Sequence, residues 1–436
     1  MIASRPDLPR KGYFMSEPAS TLEFSRHNIS ALRDTVARLV AETPVTDIHT
    51  HLFSPVFGDM LLYGVDELLT YHYLVAEALR ASSLPYEQFW TMEKSDQAAF
   101  IWKTLFVERS PVSEAARGVV TALSKLGAPV ASRDLESIRA FFKDVPVDDQ
   151  VNAVFKQANL KSVVMTNDPF DETERKVWLD HYQPDPRFLA ALRIDPLLLN
   201  WKVTCGLLKS WGYETDALLS KKSLEEVRRF LVDWLFRTKA LYMAVSLPPT
   251  FTYPEESPTA TLLEQCVLPV ARDRNLPFAM MIGVQRAINP NLRLAGDGLG
   301  FANVRSVERL CAKFPSNRFM VTMLSRENQH ELCVVARKFR NLMVFGCWWF
   351  LNNPSLIEEM SRMRFELLGL SFIPQHSDAR VLEQVIYKWE HSRVILAKVL
   401  TDKYTDLVTA GWKLTEADIR RDVQKLFGDN FWEFLK

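Results

Sequence analysis

Short, nearly continuous apolar runs recur along the chain, and most end in a polar or otherwise unusual residue. In order they are Val45 to His51, Ser162 to Asp168, Phe188 to Asp195, Leu241 to Leu247, Phe278 to Gly283, Phe319 to Leu324, Leu342 to Cys347 and Leu370 to His376. Runs this short and continuous are typical of strands covered on both faces. Helical patterns lie between most of them. Ser223 to Phe236 carries Val227, Phe230, Leu231 and Trp234 on one stripe, and Thr259 to Ala271 and Ser306 to Phe314 are two more. Strand and helix alternating eight times predict an α/β fold, a distorted (β/α)8 TIM-type barrel. An open doubly wound sheet is the alternative, but no glycine-rich dinucleotide turn follows the first strand.

One connection breaks the regularity. About 110 residues separate the first predicted strand from the second, far more than a βα loop needs. Residues 52–160 are therefore predicted to form a helical insertion, with helices over Asp66 to Arg80 and Gln97 to Phe106. It must emerge at the C-terminal face of the barrel, where active sites form, and so cap the pocket. Ahead of the barrel, Ile29, Leu32, Val36, Leu39 and Val40 make a helical stripe with Asn28 as its N-cap. Beyond it, Val381 to Tyr404 and Glu416 to Leu435 predict extra closing helices. The expected division is a disordered extension over 1–27 and a single barrel domain over 28–436. Met1 to Tyr13 holds Arg5, Arg10 and Lys11 without an apolar stretch, so it does not read as a secretory signal, and Met15 is an alternative start.

Charge adds mainly exclusions. The 53 basic and 53 acidic residues balance and form no basic run, so neither nucleic acid nor an anionic membrane is an expected partner. No stretch reaches the ~18 apolar residues of a membrane span. Cys205, Cys266, Cys311, Cys333 and Cys347 are odd in number, widely spaced and set among apolar residues, a pattern expected of reduced, buried thiols in a cytoplasmic protein.

The candidate chemistry starts at the end of the first run. In Asp47-Ile48-His49-Thr50-His51 the two imidazoles are two positions apart, and in a strand such residues share a face, so His49 and His51 are candidate ligands of one metal ion. Asp378, after the last run, is a candidate third ligand if first and last strands are neighbours. The middle runs supply no His or Lys at their tips, which speaks against a hydrolytic site; three ligands leave positions open for an oxygen-rich substrate. Zn2+ is the first expectation for one divalent ion, with Mn2+ or Fe2+ suited to the same ligands. Arg193 and Arg380 at strand ends suit a carboxylate, although a strand-end Arg also serves as a structural ion-pair partner. His72 and Tyr73 on the insertion read either as substrate groups or as helix packing, and Trp348 and Trp349 as pocket wall or core. Gly296 to Gly300 lacks the strand and lysine of a phosphate cradle and reads as a flexible loop. His330 and His376 are further candidates as substrate or outer-shell groups, whereas His27, His181 and His391 read as surface or packing residues.

Taken together, Asp47 to Leu52, Tyr71-His72-Tyr73, Arg193-Ile194-Asp195, Cys347-Trp348-Trp349-Phe350 and Asp378-Ala379-Arg380 resemble the uronate (glucuronate) isomerase family, a branch of the amidohydrolase superfamily. The resemblance runs from about residue 30 to the C-terminus. It is greatest to the shorter bacterial branch, where Pro248 to Phe251 and Ser325 to His330 also match. Better-known members carry a His near the end of a middle strand, where this chain has Met280 or Met281. The resemblance implies aldose–ketose isomerisation of D-glucuronate to D-fructuronate, and of D-galacturonate to D-tagaturonate, through an enediolate. It implies a metal on His49 and His51, with Asp378 bridging metal and substrate and helping to open the sugar ring. Tyr73 would then shuttle the proton between C2 and C1, its phenol acidified by Arg380 or the metal. Arg380 would stabilise the enediolate, and Arg193 and His72 would bind the substrate. A uronic acid is thus the expected partner and a homo-oligomer the expected assembly. A metal-dependent decarboxylase or lyase on the same barrel, and a non-catalytic sugar-acid binding protein, are the competing readings.

Overall fold

The computed structural model describes residues 22–180 and 185–436. Met1 to Tyr13, Met15 and His181 lie outside the described residues.

Seven of the eight apolar runs form parallel strands of one sheet: β1 (Val45–Thr50), β2 (Leu160–Asn167), β3 (Phe188–Arg193), β4 (Met243–Leu247), β5 (Phe278–Ile282), β6 (Phe319–Met323) and β7 (Leu342–Val344). They pair in chain order from β1 to β7. The eighth run, Leu370 to His376, is not a regular strand. Only Ile373 pairs with β7's extension: its N–H donates to Val344 O at 3.0 Å, and Gly346 N–H donates to Ile373 O at 2.8 Å. Pro374 follows at once and has no N–H to continue a ladder. The ring closes a few residues later, where Asp378 N–H donates to His49 O (3.2 Å) and His51 N–H to Ala379 O (2.8 Å). The result is a TIM-type barrel whose eighth position is an irregular extended segment.

Alternation along the strands divides the core. Ile48, Val164, Ala191, Ala244, Ala279, Met281, Met320 and Met343 fill the interior, large and small side chains together. Met165, Leu192, Val245, Met280, Ile282 and Val321 face outward into the layer with Phe230, Leu231 and Trp234 of the helix Lys221–Thr238. Phe431 and Trp432 join the interior cluster, with Arg318 donating to Phe434 O, so the last helices plug one end of the barrel.

Between β1 and β2 stand the helices Val65–Leu69, His72–Arg80, Tyr86–Thr91, Lys94–Trp102, Glu114–Leu126, Leu135–Phe142 and Val147–Ala158. The expected helix over Asp66 to Arg80 is broken at Thr70 and Tyr71: the Thr70 hydroxyl donates back to Asp66 O at 2.7 Å, and Tyr71 is extended. These helices have their own core, with Leu68, Leu74, Phe89, Ile101, Trp102, Val119 and Leu123. Glu383 fastens this cap to the barrel, accepting from Gly64 N–H (2.8 Å) and Gln150 Nε2 (2.7 Å).

Other elements depart from expectation in detail. Ile29–Glu42 is helical, but the Asn28 side chain bonds Ser25 N–H and Glu23 O instead of capping it. Glu23–Phe24, assigned above to the extension, pairs antiparallel with Leu414–Thr415. Gly298–Leu299 is not a free loop; it pairs with Val284–Gln285, and Asp297 accepts from Ala287 N–H. The closing helices are Gln384–Thr409, Glu416–Gln424 and Asn430–Phe434. No described helix is long and apolar enough to cross a membrane.

Candidate active site

β1 loses simple alternation where the chemistry begins. Its pairing with β2 slips by one residue between Asp47 and Thr50, and such a bulge re-aims the side chains beyond it. Ile48 stays in the barrel interior while His49 and His51 both meet Asp378 at the rim. His49 Nε2 lies 3.6 Å and His51 Nε2 3.5 Å from Asp378 Oδ1. The three ligand atoms are all within 4.8 Å of one another. Asp378 itself has φ +53°, a left-handed backbone that a non-glycine residue rarely adopts, and this turn sits at the closing of the ring.

The groups behind these ligands fix their tautomers. Tyr242 OH donates to Ile48 O at 2.6 Å, so its oxygen is left to accept from His49 Nδ1 at 3.4 Å. Thr166 Oγ1 likewise donates to Thr50 O (3.0 Å) and accepts from His51 Nδ1 (2.9 Å). Each Nε2 is then a lone-pair donor turned toward Asp378. His49 Nε2 and Asp378 Oδ1 are buried with no hydrogen-bond partner. Two neutral imidazoles and one carboxylate around unpartnered donor atoms fit a divalent metal ion. Burial, reinforced by His376, pushes the His49 imidazole well below its ordinary range, as a neutral ligand requires. Burial pushes the Asp378 carboxyl up, but the surrounding His51, His49 and His376 outweigh it and hold Asp378 below the usual carboxylate range.

Asp47 steadies this rim from the other side. It accepts from Ser377 N–H at 3.1 Å and from Trp389 Nε1 at 2.8 Å, and burial pushes its carboxyl up to about 6. His376 sits 5.3 Å from the His49 ring, buried, with both nitrogens unpartnered, and burial lowers it to about 4. Gly346 makes room for that ring, since a Cβ there would lie 1.6 Å from His376 Nδ1.

Opposite stands the cap. His72 Nε2, Tyr73 OH and Trp349 Nε1 are all buried without partners. The His72 and Trp349 rings are 5.4 Å apart, and Trp349 has φ +48°. Burial lowers His72 to about 4, so it is neutral. For Tyr73 the expectation of an acidified phenol is reversed: burial, then Tyr71 and Asp378, push it well above its ordinary value. Arg380 is exposed and bears on Tyr71 and His72, not on Tyr73.

Arg193 lies at the tip of β3, within electrostatic reach of His49 and Asp378, but two of its N–H groups are taken. Nε and Nη2 fork onto Asp195, each at 2.9 Å. Asp168 faces the same guanidinium, and burial raises its carboxyl to about 6. His330 is exposed on the helix Gln329–Ala336 and takes no part, and His27 is exposed as expected. His391 is buried against Glu114 (2.6 Å) and Thr121 (2.9 Å). Met281 faces the barrel interior and Met280 the helices, so this strand end is apolar.

Several contributors went unread in the sequence. Tyr242 and Thr166 orient the two imidazoles, Asp47 and Trp389 brace the closing turn, and Lys388 lies buried with its Nζ 5.5 Å from the centroid of the Tyr73 ring. Tyr242 and Thr166 flank predicted strand ends, which is the one signal that pointed to them.

No family model and no curated protein matches the chain. Solved structures do. The chain superposes on an uronate isomerase from Bacillus halodurans C-125 with a TM-score of 0.92 and 56% identity, covering 93% of this chain and 96% of that one. It also superposes on an uronate isomerase from Thermotoga maritima (TM-score 0.76, 16% identity, 92% and 97% covered). A glucuronate isomerase from Caulobacter crescentus gives a TM-score of 0.74 at 13% identity, with 96% and 97% covered. At these lower identities the likeness speaks for the fold.

Proposed function

The chain belongs to the uronate isomerase family, and on that premise we propose that it interconverts D-glucuronate with D-fructuronate and D-galacturonate with D-tagaturonate. It is an isomerase, and the observation that carries the reading is the 56% identity to the Bacillus halodurans enzyme over 93% of the chain. The site is consistent with it: neutral imidazoles and an ionised carboxylate lie within electrostatic reach of the unpartnered His72 and Tyr73 of the cap. His49, His51 and Asp378 would hold the metal, Zn2+ before Mn2+ or Fe2+. When bound, such an ion supplies a Lewis acid for substrate oxygens.

This chain's own residues do the rest. Asp378 accepts and returns a proton as the sugar ring opens. With Tyr73 as the tyrosinate, its phenol proton having first passed to solvent, the C2–H bond breaks, its proton passing to the Tyr73 oxygen and its electron pair into the C1–C2 enediolate. The proton returns to C1 while the hydroxyl proton on O2 moves to O1, so C1 is reduced and C2 oxidised with no external electron carrier. Arg380 balances the enediolate charge if substrate draws it inward, and His72 and the free edge of Arg193 grip the substrate. Five buried free cysteines support a reducing, cytoplasmic setting.

Incubating the purified protein with D-glucuronate and following the ketose tests the proposal; the expected product is a ketouronate of unchanged mass. Carbon dioxide release would favour the decarboxylase reading, and binding without turnover a sugar-acid binding protein.

A further inference from the structure

The helix Gln384–Thr409 starts just after the turn that closes the barrel, and its first turns are buried between barrel and cap. Tyr387 packs so closely on the cap helix Glu114–Leu126 that a Cβ at Gly118 would lie 2.5 Å from its ring. Lys388 is next to it and only 4% exposed. Among the described residues no carboxylate stands within ion-pair distance of its ammonium group. What surrounds it instead is aromatic: Nζ lies 5.5 Å from the Tyr73 ring centroid and 5.7 Å from that of Tyr387.

An ammonium buried without a counter-ion is costly, and sites that keep one generally use it. The other buried cations here have fixed polar partners: Arg393 donates to Thr43 O (2.9 Å), Arg364 to Gly346 O (2.8 Å), and Arg193 to Asp195. Burial lowers Lys388 to about 8, against the pull of Asp378, Glu114 and Asp47. The titratable groups facing it are His72 and Tyr73 from the cap, Glu114 from the neighbouring cap helix, Tyr387 from its own helix, His376 and Asp378 from the closing segment, and Asp47 from β1.

The single-base transfer set out above requires Tyr73 to act as a tyrosinate, and burial, Tyr71, Asp378 and Tyr387 all resist that state. We propose that Lys388 is a positioning residue for the proton transfer: its ammonium, held against the Tyr73 ring, compensates the negative charge that alternates between the Tyr73 oxygen and the enediolate. The proposal rests on the assignment of Tyr73 as the shuttle. No bond to Lys388 forms or breaks; the proton travels C2 to Tyr73 oxygen to C1, and Lys388 supplies charge alone.

The test uses the metal-loaded protein with D-glucuronate, unlabelled and deuterated at C2. Lys388→Met should lower kcat by about 10²-fold, the scale of acid–base contributions, while KM stays within about threefold. The deuterium effect on kcat should grow, because proton transfer becomes slower than every other step. Lys388→Arg, or Lys388→Ala with added ethylamine where Arg does not fit, should recover most of the rate. The double variant Tyr73→Phe/Lys388→Met should be no slower than Tyr73→Phe, since the two residues act as one unit. Metal content and melting temperature confirm that each variant is folded. Parental kcat in Lys388→Met, or a double variant slower than Tyr73→Phe by the full Lys388→Met factor, overturns the inference while the Tyr73 assignment stands. Parental turnover in Tyr73→Phe overturns the shuttle assignment itself, whatever Lys388 does.

Discussion

At the barrel mouth the two imidazoles that meet Asp378 at its carboxylate, His49 and His51, are held from behind, whereas across from them the cap and the segment after β7 offer polar atoms that nothing in the protein satisfies. His49 and His51 are fixed through Nδ1 by Tyr242 and Thr166, and their strand is tied by backbone bonds on both sides. His72 Nε2, Tyr73 OH and Trp349 Nε1 have no such partner. Buried polar groups are rarely left in that condition unless something else completes them. The mouth thus fixes its donor atoms in one geometry, while the cap leaves polar atoms open. A site divided in this way lets chemistry and recognition be changed separately.

The comparison breaks most easily at the metal. His49→Ala or His51→Ala should lose bound metal outright, measured by elemental analysis, with circular dichroism unchanged. Thr166→Val, which removes only the support behind His51, should cost the roughly 10–100-fold in metal affinity typical of outer-shell partners. Full metal content in both alanine variants would place the site elsewhere. Next in size is Tyr73→Phe, which should lose roughly 10²–10⁴ in kcat while metal content and melting temperature hold, because only an unpartnered hydroxyl is removed. A fall in metal content there would mean that mouth and cap are one unit after all. Arg193→Met should raise KM by roughly tenfold or more and also lower the melting temperature, since Asp195 loses its fork. A lower melting temperature with unchanged kinetics would leave Arg193 as the partner of Asp195 and nothing more.

The smallest effect concerns the fastening between the two regions. Burial raises the Glu383 carboxyl from 4.5 to about 7. A folded-state value above the unfolded one means that the native protein favours the protonated form. Its stabilising contribution is therefore complete below about pH 4.5 and is lost as pH rises through 7. Glu383→Gln should be less pH-sensitive and, at pH 8, more stable than the parent by roughly 1–2 kcal/mol. Equal slopes of melting temperature against pH would show that Glu383 does not ionise in this range.

Local signals carried most of the fold. Seven strands were legible because a strand buried on both faces is a short apolar run wherever it falls, and the shared position of His49 and His51 because the two are neighbours in sequence. The eighth run misled because Pro374 denies the ladder a donor inside an otherwise strand-like stretch. The break at Thr70 was missed because a side-chain hydroxyl bonding its own helix leaves the apolar period intact. Lys388 was invisible for a different reason. A single lysine in a long helix ordinarily faces water, and only packing on three sides shows that this one does not. Asp47 and Trp389 meet across 342 positions, a contact that no periodicity encodes.

The ring closure has a consequence for how the protein is made. Asp47 and Ser377 are 330 positions apart, and the carboxylate that completes the metal position is the residue after Ser377. During synthesis, His49 and His51 and the Thr166 and Tyr242 that orient them emerge long before Asp378, and the third donor arrives only when the last barrel segment pairs with β1. The chain therefore cannot close its grip on an ion while it is growing. Capture of an ion by these three residues would then be a late event that reports a finished barrel.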